Sequence, residues 1–174
     1  NVNFASQKTN SPLKDTFKSG FEYSDCWVDD SRLVILNAVD AASKGASLRN
    51  YTKVINATSS NGLWTISTKN SLNGKVDIVK AKAFVNASGP WVDKVLKESF
   101  KVKDSKNVRL VRGSHIVVNK LYEGDKSYIC QNKDGRIFFI IPYEDNFTLI
   151  GTTDIDHGKS ADQVKISEQE KSYI

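Results

Sequence analysis

The sequence predicts an α+β fold, in which antiparallel β-sheets carry most of the chain and a few helices join them. Two Asn-Gly pairs, Asn61-Gly62 and Asn73-Gly74, separate short β-type runs. Four more strand-like runs follow between residues 108 and 152, again divided by turn residues. Stretches of helical character lie at 31–44 and 92–100. Because Asn-Gly favours the positive φ angles of tight hairpins, the strands are expected to pair antiparallel.

The composition is that of an ordinary globular protein. The 174 residues are 39% hydrophobic and 26% charged, and a chain of this length can bury a core. No run of about 18 apolar residues is present, which argues against a membrane-spanning helix. The first residues lack an initiating Met and the layout of a signal peptide, so we expect the chain to begin within a longer protein.

Charge and cysteine content argue against two function classes. The net charge of +5 is spread along the chain, whereas a nucleic-acid interface concentrates Lys and Arg on one face. No nucleic-acid partner is therefore expected, although a mild attraction to anionic ligands or lipids stays open. Cys26 and Cys130 lie far apart without ligand residues at metal-binding spacing, so neither a metal site nor a disulfide framework is expected. Two reduced thiols fit a cytoplasmic protein.

The N-terminal part of the chain is expected to hold a lead-in, a strand and a helix. Residues 1–19 are polar and without periodicity. Residues 20–28 alternate aromatic and polar side chains, as in a half-buried strand. The 31–44 helix has a capping pair in Asp29-Asp30 and a stop in Gly45. Since this helix is apolar nearly all round, we expect it to lie between two layers.

The following part is expected to form a meander and then a strand, a turn and a helix. The meander covers residues 47–80 around the two Asn-Gly turns. The segment 83–100 begins as an apolar strand, ends in the small residues Ala87-Ser88-Gly89, and continues as a helix after Pro90. A turn of small residues lets the backbone approach a flat or phosphorylated ligand, although such turns are common in α/β proteins generally.

The later strands carry polar residues in unusual places. The runs are 108–118, 127–131, 136–142 and 147–152, and they are expected to form a four-stranded antiparallel sheet. Ser114 and His115 interrupt the first run, and Arg136 opens the third. If these two strands are near each other, His115 and Arg136 can converge on one face.

Such a pair of side chains would have a definite chemistry. An imidazole can accept a hydroxyl proton near neutral pH, and a guanidinium binds carboxylate or phosphate through two parallel hydrogen bonds. An alcohol or amine substrate that bears an anion would suit both groups. The residues alone leave structural roles open, because a strand histidine is often only packed and an arginine after Asp-Gly often lies at the surface.

Five segments of the chain resemble the FAD-dependent glycerol-3-phosphate dehydrogenases, in the same order and at similar spacing. They are residues 20–30 (GFEYSDCWVDD), 85–92 (VNASGPWV), 112–118 (RGSHIVV), 135–143 (GRIFFIIPY) and 148–154 (TLIGTTD). The likeness covers nearly the whole chain from Gly20 onward, and five ordered motifs make it specific.

The resemblance implies a two-domain fold of the D-amino-acid-oxidase type. Residues 20–100 would be part of the FAD-binding α/β domain, and 108–152 would be an antiparallel or mixed sheet of the substrate domain. Residues 153–174 would be a polar tail leading to the next segment. The sequence lacks the Gly-x-Gly-x-x-Gly phosphate loop of such domains. We therefore expect an internal fragment that neither holds FAD nor turns over substrate alone.

The resemblance also implies roles for individual residues. His115 would be catalytic, orienting or deprotonating the C2 hydroxyl of the substrate while hydride leaves for the flavin. Arg136 and Ser114 would bind the substrate. The residues contacting FAD would be Val54, mainly through its backbone, and Ala87, Ser88, Gly89 and Trp91. No metal is expected.

The reaction that the resemblance implies is the oxidation of sn-glycerol 3-phosphate to dihydroxyacetone phosphate, with FAD as cofactor and a quinone as electron acceptor. The parent protein would be cytoplasmic and peripherally associated with the cytoplasmic membrane. Three alternatives stay open: a fragment of a glycerophosphate oxidase, which passes electrons to oxygen, a stand-alone domain for small phosphates, and a basic nucleic-acid-binding β domain. Arg112 stands where the family usually has Lys, which leaves its role open.

Overall fold

The structure is a computed structural model that describes residues 1–4 and 12–174. These residues form two compact units. The first unit comprises Asn1–Ser24 and Leu110–Ile174, and the second comprises Asp25–Arg109. Part of the lead-in predicted over 1–19 lies outside the described residues.

Two short strands begin the first unit. Strand β1, Val2–Asn3, pairs antiparallel with β2, Ser19–Gly20. The prediction of a strand over 20–28 is wrong beyond Gly20, because residues 21–29 have no regular structure and Phe21 is 84% exposed. Alternating side chains form a strand only where a neighbour completes the ladder, and β1 supplies two residues.

The second unit contains helix α1, Asp30–Ser43. The helix begins here because the Asp29 carboxylate accepts the amide of Arg32 at 3.0 Å. It stops because Gly45 takes a φ of 92° and donates its amide to the Ala42 carbonyl. None of its residues is buried, so the expectation of a helix between two layers is wrong for the described chain. No described segment supplies a covering layer, and the apolar side chains of α1 face solvent.

A three-stranded antiparallel sheet follows α1. Its strands are β3, Thr52–Ser60, β4, Leu63–Asn70, and β5, Val76–Ala81, in the order β3-β4-β5. Asn61 and Gly62 have φ angles of 52° and 72°, as the tight turn between β3 and β4 requires. The sheet occupies residues 52–81, against the expected 47–80.

The segment after β5 differs from its expectation. Residues 83–88 pair with no described strand, so the predicted apolar strand is not formed. The nearest strand in the sequence, β5, pairs with β4 and with no other described strand, so it gives this segment no partner. A single 3-10 turn, Gly89–Trp91, then leads into helix α2, Val92–Ser99. The Ser99 hydroxyl donates to the Val54 carbonyl at 3.0 Å and fixes α2 to β3.

The core of the second unit is small and aromatic. Trp64, Phe84 and Phe100 pack with ring centroids 4.8–6.0 Å apart, in tilted and edge-on geometry. Ala57 and Ile66 are the fully buried hydrophobic residues of the described chain, at 5% and 6% exposure. The unit therefore leaves much apolar surface uncovered.

The first unit is built on a four-stranded antiparallel sheet and one further strand pair. The strands are β6, Val111–Arg112; β7, His115–Asn119; β8, Tyr128–Gln131; β9, Ile137–Tyr143; β10, Phe147–Gly151; and β11, Ile155–Asp156. The sheet order is β7-β10-β9-β8, and β6 pairs with β11.

The strand predicted over 108–118 is divided at Gly113 and Ser114. The Ser114 amide donates to Thr153 Oγ1 at 2.9 Å, so it is not available to a strand ladder. Two chain segments cross closely at this point, because a Cβ on Gly113 would overlap the Thr152 hydroxyl. The division gives two strands, β6 and β7, that pair with different partners.

The predicted polar tail contains structure of its own. Residues 153–174 include β11 and a short helix, α3, Glu168–Tyr173. Ser167 and Glu170 form a capping box at its start, in which each side chain accepts the backbone amide of the other. Antiparallel sheets with few helices confirm the α+β prediction. Among the described residues, no helix has the length and apolar character needed to cross a bilayer.

Candidate functional site

His115 lies at the start of β7, opposite Gly151 of β10. Gly151 is in turn opposite Phe139 of β9, so the three residues form one row across the sheet. A Cβ on Gly151 would come within 2.5 Å of the His115 ring and 2.8 Å of the Ser114 carbonyl oxygen. The imidazole therefore rests on the bare backbone of Gly151 and is itself exposed.

The sheet face that carries His115 is apolar. Directly paired residues point to the same side of a sheet, and alternate residues along each strand share a face. The other apolar or aromatic members of this face are Val117, Ile129, Ile137, Phe139, Ile141, Tyr143, Phe147 and Leu149. Val117, Ile129 and Ile137 are about half exposed, at 52%, 48% and 48%. The face thus offers a broad apolar surface with one proton-accepting ring at its edge.

Gly151→Ala should displace the His115 ring and destabilise the first unit by about 1–3 kcal/mol, because the new methyl group has no room. Gly158→Ala is the matched control, since nothing lies within 4 Å of a Cβ there. Thermal unfolding of the two variants measures the difference. Equal midpoints would show that the His115 ring is not held against Gly151.

The Arg136 side chain is held by Asp134, in the turn between β8 and β9, and by Tyr173. Its Nε and Nη2 donate to Asp134 Oδ2 at 2.8 and 2.6 Å. Its guanidinium carbon lies 3.6 Å from the centre of the Tyr173 ring, a cation–π contact. The side-chain hydrogen bond from Arg136 lowers the pKa of Asp134. Nη1 makes no hydrogen bond within the described chain and is free to meet an anion.

The structure does not bring His115 and Arg136 together. Strand β10 lies between their strands, which separates them laterally by about 10 Å. Arg136 also precedes Phe139, the residue level with His115, by three positions, and side chains an odd number apart point to opposite faces. Convergence of the two side chains on one face is therefore wrong for this structure.

Ser114 is buried, and its hydroxyl donates to Glu170 Oε1 at 2.7 Å. Its amide and carbonyl are both bonded to Thr153. A hydroxyl in this position is not available to a substrate, so this geometry speaks against the predicted substrate-binding role of Ser114. Ser114 instead joins His115 to a buried polar cluster.

Glu170 is the centre of that polar cluster, which consists of Arg112, Ser114, Thr153, Ser167 and Glu170. Its side chain is fully buried, and it accepts from Arg112 Nη2 at 2.6 Å and from Thr153 Oγ1 at 2.9 Å. Burial alone would raise the pKa of Glu170. The hydrogen bonds from the Ser167 amide and the Ser114, Ser167 and Thr153 hydroxyls outweigh burial and hold the pKa well below its ordinary value.

The other predicted site residues lie in the second unit. Val54 sits in the β3–β4 ladder, and its carbonyl accepts the Ser99 hydroxyl. Ala87 and Gly89 are exposed, Gly89 has a φ of 52°, and nothing lies within 4 Å of a Cβ built on it. The Ser88 hydroxyl donates to Asn86 Oδ1 at 2.6 Å. The turn is therefore open to solvent on the side of Ala87 and Gly89.

Asp93 occupies the first turn of α2, the helix that follows this turn. The hydrogen bond from the Ser105 hydroxyl lowers the pKa of Asp93 to about 2, with further help from Asn107 and Val108. Its carboxylate is thus charged and ties α2 to the linker after it. A fixed negative charge at this helix end disfavours a phosphate there.

Comparison with known proteins identifies the family. The family described as FAD dependent oxidoreductase matches residues 5–174, nearly the whole chain. The chain belongs to this family. Among curated relatives, a glycerol-3-phosphate dehydrogenase of Pseudomonas aeruginosa is 48% identical over 164 residues, which are 94% of this chain and 32% of that protein.

Two further relatives differ from the Pseudomonas aeruginosa protein, one in the substrate that its name gives and one in its lower sequence identity to this chain. A D-erythritol 1-phosphate dehydrogenase of Brucella abortus is 48% identical over 163 residues, 94% of this chain and 32% of that protein. An aerobic glycerol-3-phosphate dehydrogenase of Escherichia coli is 42% identical over 165 residues, 95% of this chain and 33% of that protein. The chain spans about a third of the length of the curated relatives that it matches.

FAD is the cofactor of this family of oxidoreductases, and the residues present fit part of it. In the first unit, the exposed apolar face around His115 suits a flat ring system. In the second unit, taken by itself, the open turn at Ala87 and Gly89 leaves room for close approach of a ligand to the backbone. For the phosphate groups, the sequence supplies no Gly-x-Gly-x-x-Gly loop, and in the described second unit the Asp93 carboxylate places a negative charge at the start of α2.

The sequence-based prediction of the site missed two residues on α3. Glu170 accepts a hydrogen bond from Ser114, the residue before His115, and Tyr173 packs directly against Arg136. The pattern Ser167-x-x-Glu170 is a capping-box signal and could have revealed the helix. Nothing in the local sequence indicates that Glu170 is buried beside Ser114.

Proposed function

We propose that this chain is a segment of a flavoenzyme that oxidises sn-glycerol 3-phosphate to dihydroxyacetone phosphate. The observation that carries the proposal is the 48% identity with a glycerol-3-phosphate dehydrogenase across 94% of the chain. The exposed imidazole of His115 on an apolar sheet face supports it, because alcohol oxidation needs a proton acceptor in a place from which water can be displaced.

In the proposed reaction, an imidazole nitrogen of His115 accepts the C2 hydroxyl proton as the C2–H bond breaks and the carbonyl forms. Bound FAD supplies the acceptor for the hydride. The apolar face around His115 excludes water from the reacting carbon. Gly151 keeps the imidazole level with the sheet, since any side chain there would occupy the place of the ring.

The role of Arg136 in phosphate binding is also part of the proposal, and it needs its own test. Nη1 can donate hydrogen bonds to an anion, but the side chain starts from the sheet face opposite to His115. If Arg136 binds phosphate, Arg136→Ala should raise KM for the phosphorylated substrate while Arg136→Lys restores part of the affinity. Unchanged KM in Arg136→Ala would assign the phosphate to other residues.

The test of the function is an assay of the complete, FAD-loaded enzyme that contains this segment, with an artificial quinone as acceptor. Reduction of the quinone with sn-glycerol 3-phosphate, and none with unphosphorylated glycerol, is the expected result. D-Erythritol 1-phosphate is the second candidate substrate, because the Brucella abortus relative is equally similar. A higher kcat/KM for the erythritol ester would replace the first proposal with the second.

Electron transfer to a membrane quinone, with the parent protein bound peripherally to the cytoplasmic face, belongs to the same proposal. It rests on the resemblance of the sequence motifs to the FAD-dependent glycerol-3-phosphate dehydrogenases, and the Escherichia coli relative is named an aerobic enzyme. Hydrogen peroxide formed in step with substrate oxidation would instead indicate an oxidase. Recovery of the complete protein in the soluble fraction of gently lysed cells would contradict membrane association.

The isolated 174-residue chain is expected to hold no FAD and to be inactive. The physical reason is the missing phosphate loop, since the pyrophosphate of a dinucleotide is ordinarily held by such a loop and the helix start behind it. The measurement is the visible absorption of the purified chain after incubation with FAD and removal of the excess. A stoichiometric flavin band would contradict this prediction.

A further inference from the structure

Helix α3 contacts both of the predicted substrate-side strands. Glu170 lies beneath Ser114, the residue before His115, and Tyr173 lies against Arg136 at the start of β9. The two α3 residues are three positions apart and therefore share one face of the helix. One short element thus contacts the residues that immediately precede β7 and β9, the first and the third strands in the sheet order β7-β10-β9-β8.

Glu170 is hydrogen-bonded to one residue close to His115 and to one close to Gly151, the two residues that pair across β7 and β10. Ser114 precedes His115, and Thr153 follows Gly151 by two residues; both donate hydroxyl hydrogen bonds to Glu170 Oε1, at 2.7 and 2.9 Å. The same two residues are joined by two more hydrogen bonds: the Ser114 amide donates to Thr153 Oγ1 at 2.9 Å, and the Thr153 amide donates to the Ser114 carbonyl at 3.2 Å. A shift of Glu170 therefore moves the ends of β7 and β10 together, and with them the backbone on which the imidazole rests.

The contact through Tyr173 holds α3 in place at its other end. The Tyr173 ring packs at 3.6 Å against the Arg136 guanidinium, whose position is set by two hydrogen bonds to Asp134. The Tyr173 hydroxyl adds a long hydrogen bond to Asp134 Oδ1, at 3.4 Å. This contact is a second attachment of α3, besides the hydrogen bonds of Glu170.

We propose that α3 is a positioning element for His115, fastened by Glu170 at one end and by the Tyr173–Arg136 stack at the other. Ser114 and Arg136 point to the sheet face opposite to His115, and both contact α3, so the helix supports the sheet from behind the imidazole. Glu170 and Tyr173 act through other residues and touch neither substrate nor cofactor. The inference rests on the proposed function of His115.

The test uses the complete, FAD-loaded enzyme and two pairs of matched variants. Glu170→Gln removes the buried charge with little change in shape, and Glu168→Gln changes an exposed residue on the same helix. Tyr173→Leu removes the ring under Arg136, and Tyr173→Phe keeps it. Ser114→Ala is made alongside, because it cuts the link to His115 without leaving a buried charge unpaired and so tests the proposal even if Glu170→Gln unfolds.

The expected result is a loss of kcat without a matching rise in KM. Glu170→Gln and Ser114→Ala should lower kcat about tenfold or more, since small displacements of a reacting group are costly, with KM within about twofold of the parent. Tyr173→Leu should show the same kind of loss, and Tyr173→Phe should restore kcat. Glu168→Gln should behave as the parent enzyme.

Two results would overturn the proposal. One is unchanged kcat in both Ser114→Ala and Tyr173→Leu. The other is a rise of KM at constant kcat in Tyr173→Leu, which would show that the Tyr173–Arg136 stack assists substrate binding by Arg136.

If the parent enzyme oxidises no polyol phosphate, the proposed function fails instead. Amide hydrogen exchange then decides for α3: faster exchange at residues 113–116 in Ser114→Ala and Tyr173→Leu supports the positioning role, and unchanged exchange refutes it.

Discussion

Replacing His115 by glutamine in the complete, FAD-loaded enzyme is expected to lower kcat by about 10²–10⁴-fold, the usual contribution of a positioned general base. Glutamine retains a hydrogen-bonding side chain of similar reach but cannot accept the hydroxyl proton. The measurement is steady-state oxidation of sn-glycerol 3-phosphate, together with bleaching of the flavin in a single turnover. The single turnover isolates the step in which C2 is oxidised.

The matched control for this variant is His157→Gln. His157 is the other histidine of the chain, and its Nε2 lies 3.0 Å from the Ser160 carbonyl oxygen within one loop. Turnover of this variant should equal that of the parent. If His115→Gln keeps more than about a tenth of the parent kcat, a positioned base is not at work and the assignment of His115 fails.

Glu170→Ala is expected to destabilise the first unit by about 3–5 kcal/mol. Its removal leaves the Arg112 guanidinium, whose side chain is only 17% exposed, without its anionic partner. The Ser114 and Thr153 hydroxyls lose their acceptor as well. Urea unfolding, followed by amide hydrogen exchange at residues 111–119, measures the change in the unit itself.

Glu168→Ala is the control for this stability change. Its carboxylate side chain is 87% exposed and pairs with Lys171 in the same helix, so its loss should cost less than about 1 kcal/mol. Replacing both partners, as in Arg112→Met with Glu170→Leu, should recover much of the lost stability, because no buried charge is then left unpaired. A double variant no better than Glu170→Ala alone would show that the cluster acts through more than this pair.

Acid should weaken the first unit through the same carboxylate. The folded-state pKa of Glu170 lies below its ordinary value, so this group contributes stability that is fully present above about pH 5 and is lost as the pH falls toward the folded pKa. Urea midpoints measured between neutral and acidic pH should fall more steeply for the parent protein than for Glu170→Gln. Parallel curves would mean that another carboxylate causes the acid sensitivity.

The sequence predicted correctly those helix ends and turns that depend on residues next to one another in the chain. The α1 helix begins at the Asp29 cap and stops at Gly45, and the β3–β4 turn follows from Asn61-Gly62. The strand predicted over 20–28 failed beyond Gly20, because alternation says nothing about whether a partner strand is present. The strand predicted from residue 83 failed for the same reason.

The candidate site was predictable only in part. His115 was singled out as a candidate because an imidazole in an apolar strand is unusual, and its proposed role comes from the resemblance. The buried position of Ser114 could not be predicted, because its partner Glu170 lies far along the chain, in a segment whose composition is simply polar. The separation of His115 from Arg136 depends on the strand order, in which β10 enters between β7 and β9. Strand order is a long-range property that no local pattern contains.

The same strand order has a kinetic consequence. Strands β8, β9 and β10 are consecutive and joined by short turns, whereas β7 pairs with β10 across the whole intervening chain. Closing that larger loop costs more conformational entropy, so we expect the two hairpins to form first and β7 to dock last. Pulse-labelled amides of β7 should gain protection after those of β9 and β10. The imidazole of His115 then reaches its place only in the final step of folding, and in partly folded chains that already carry the hairpins it is not yet held against Gly151.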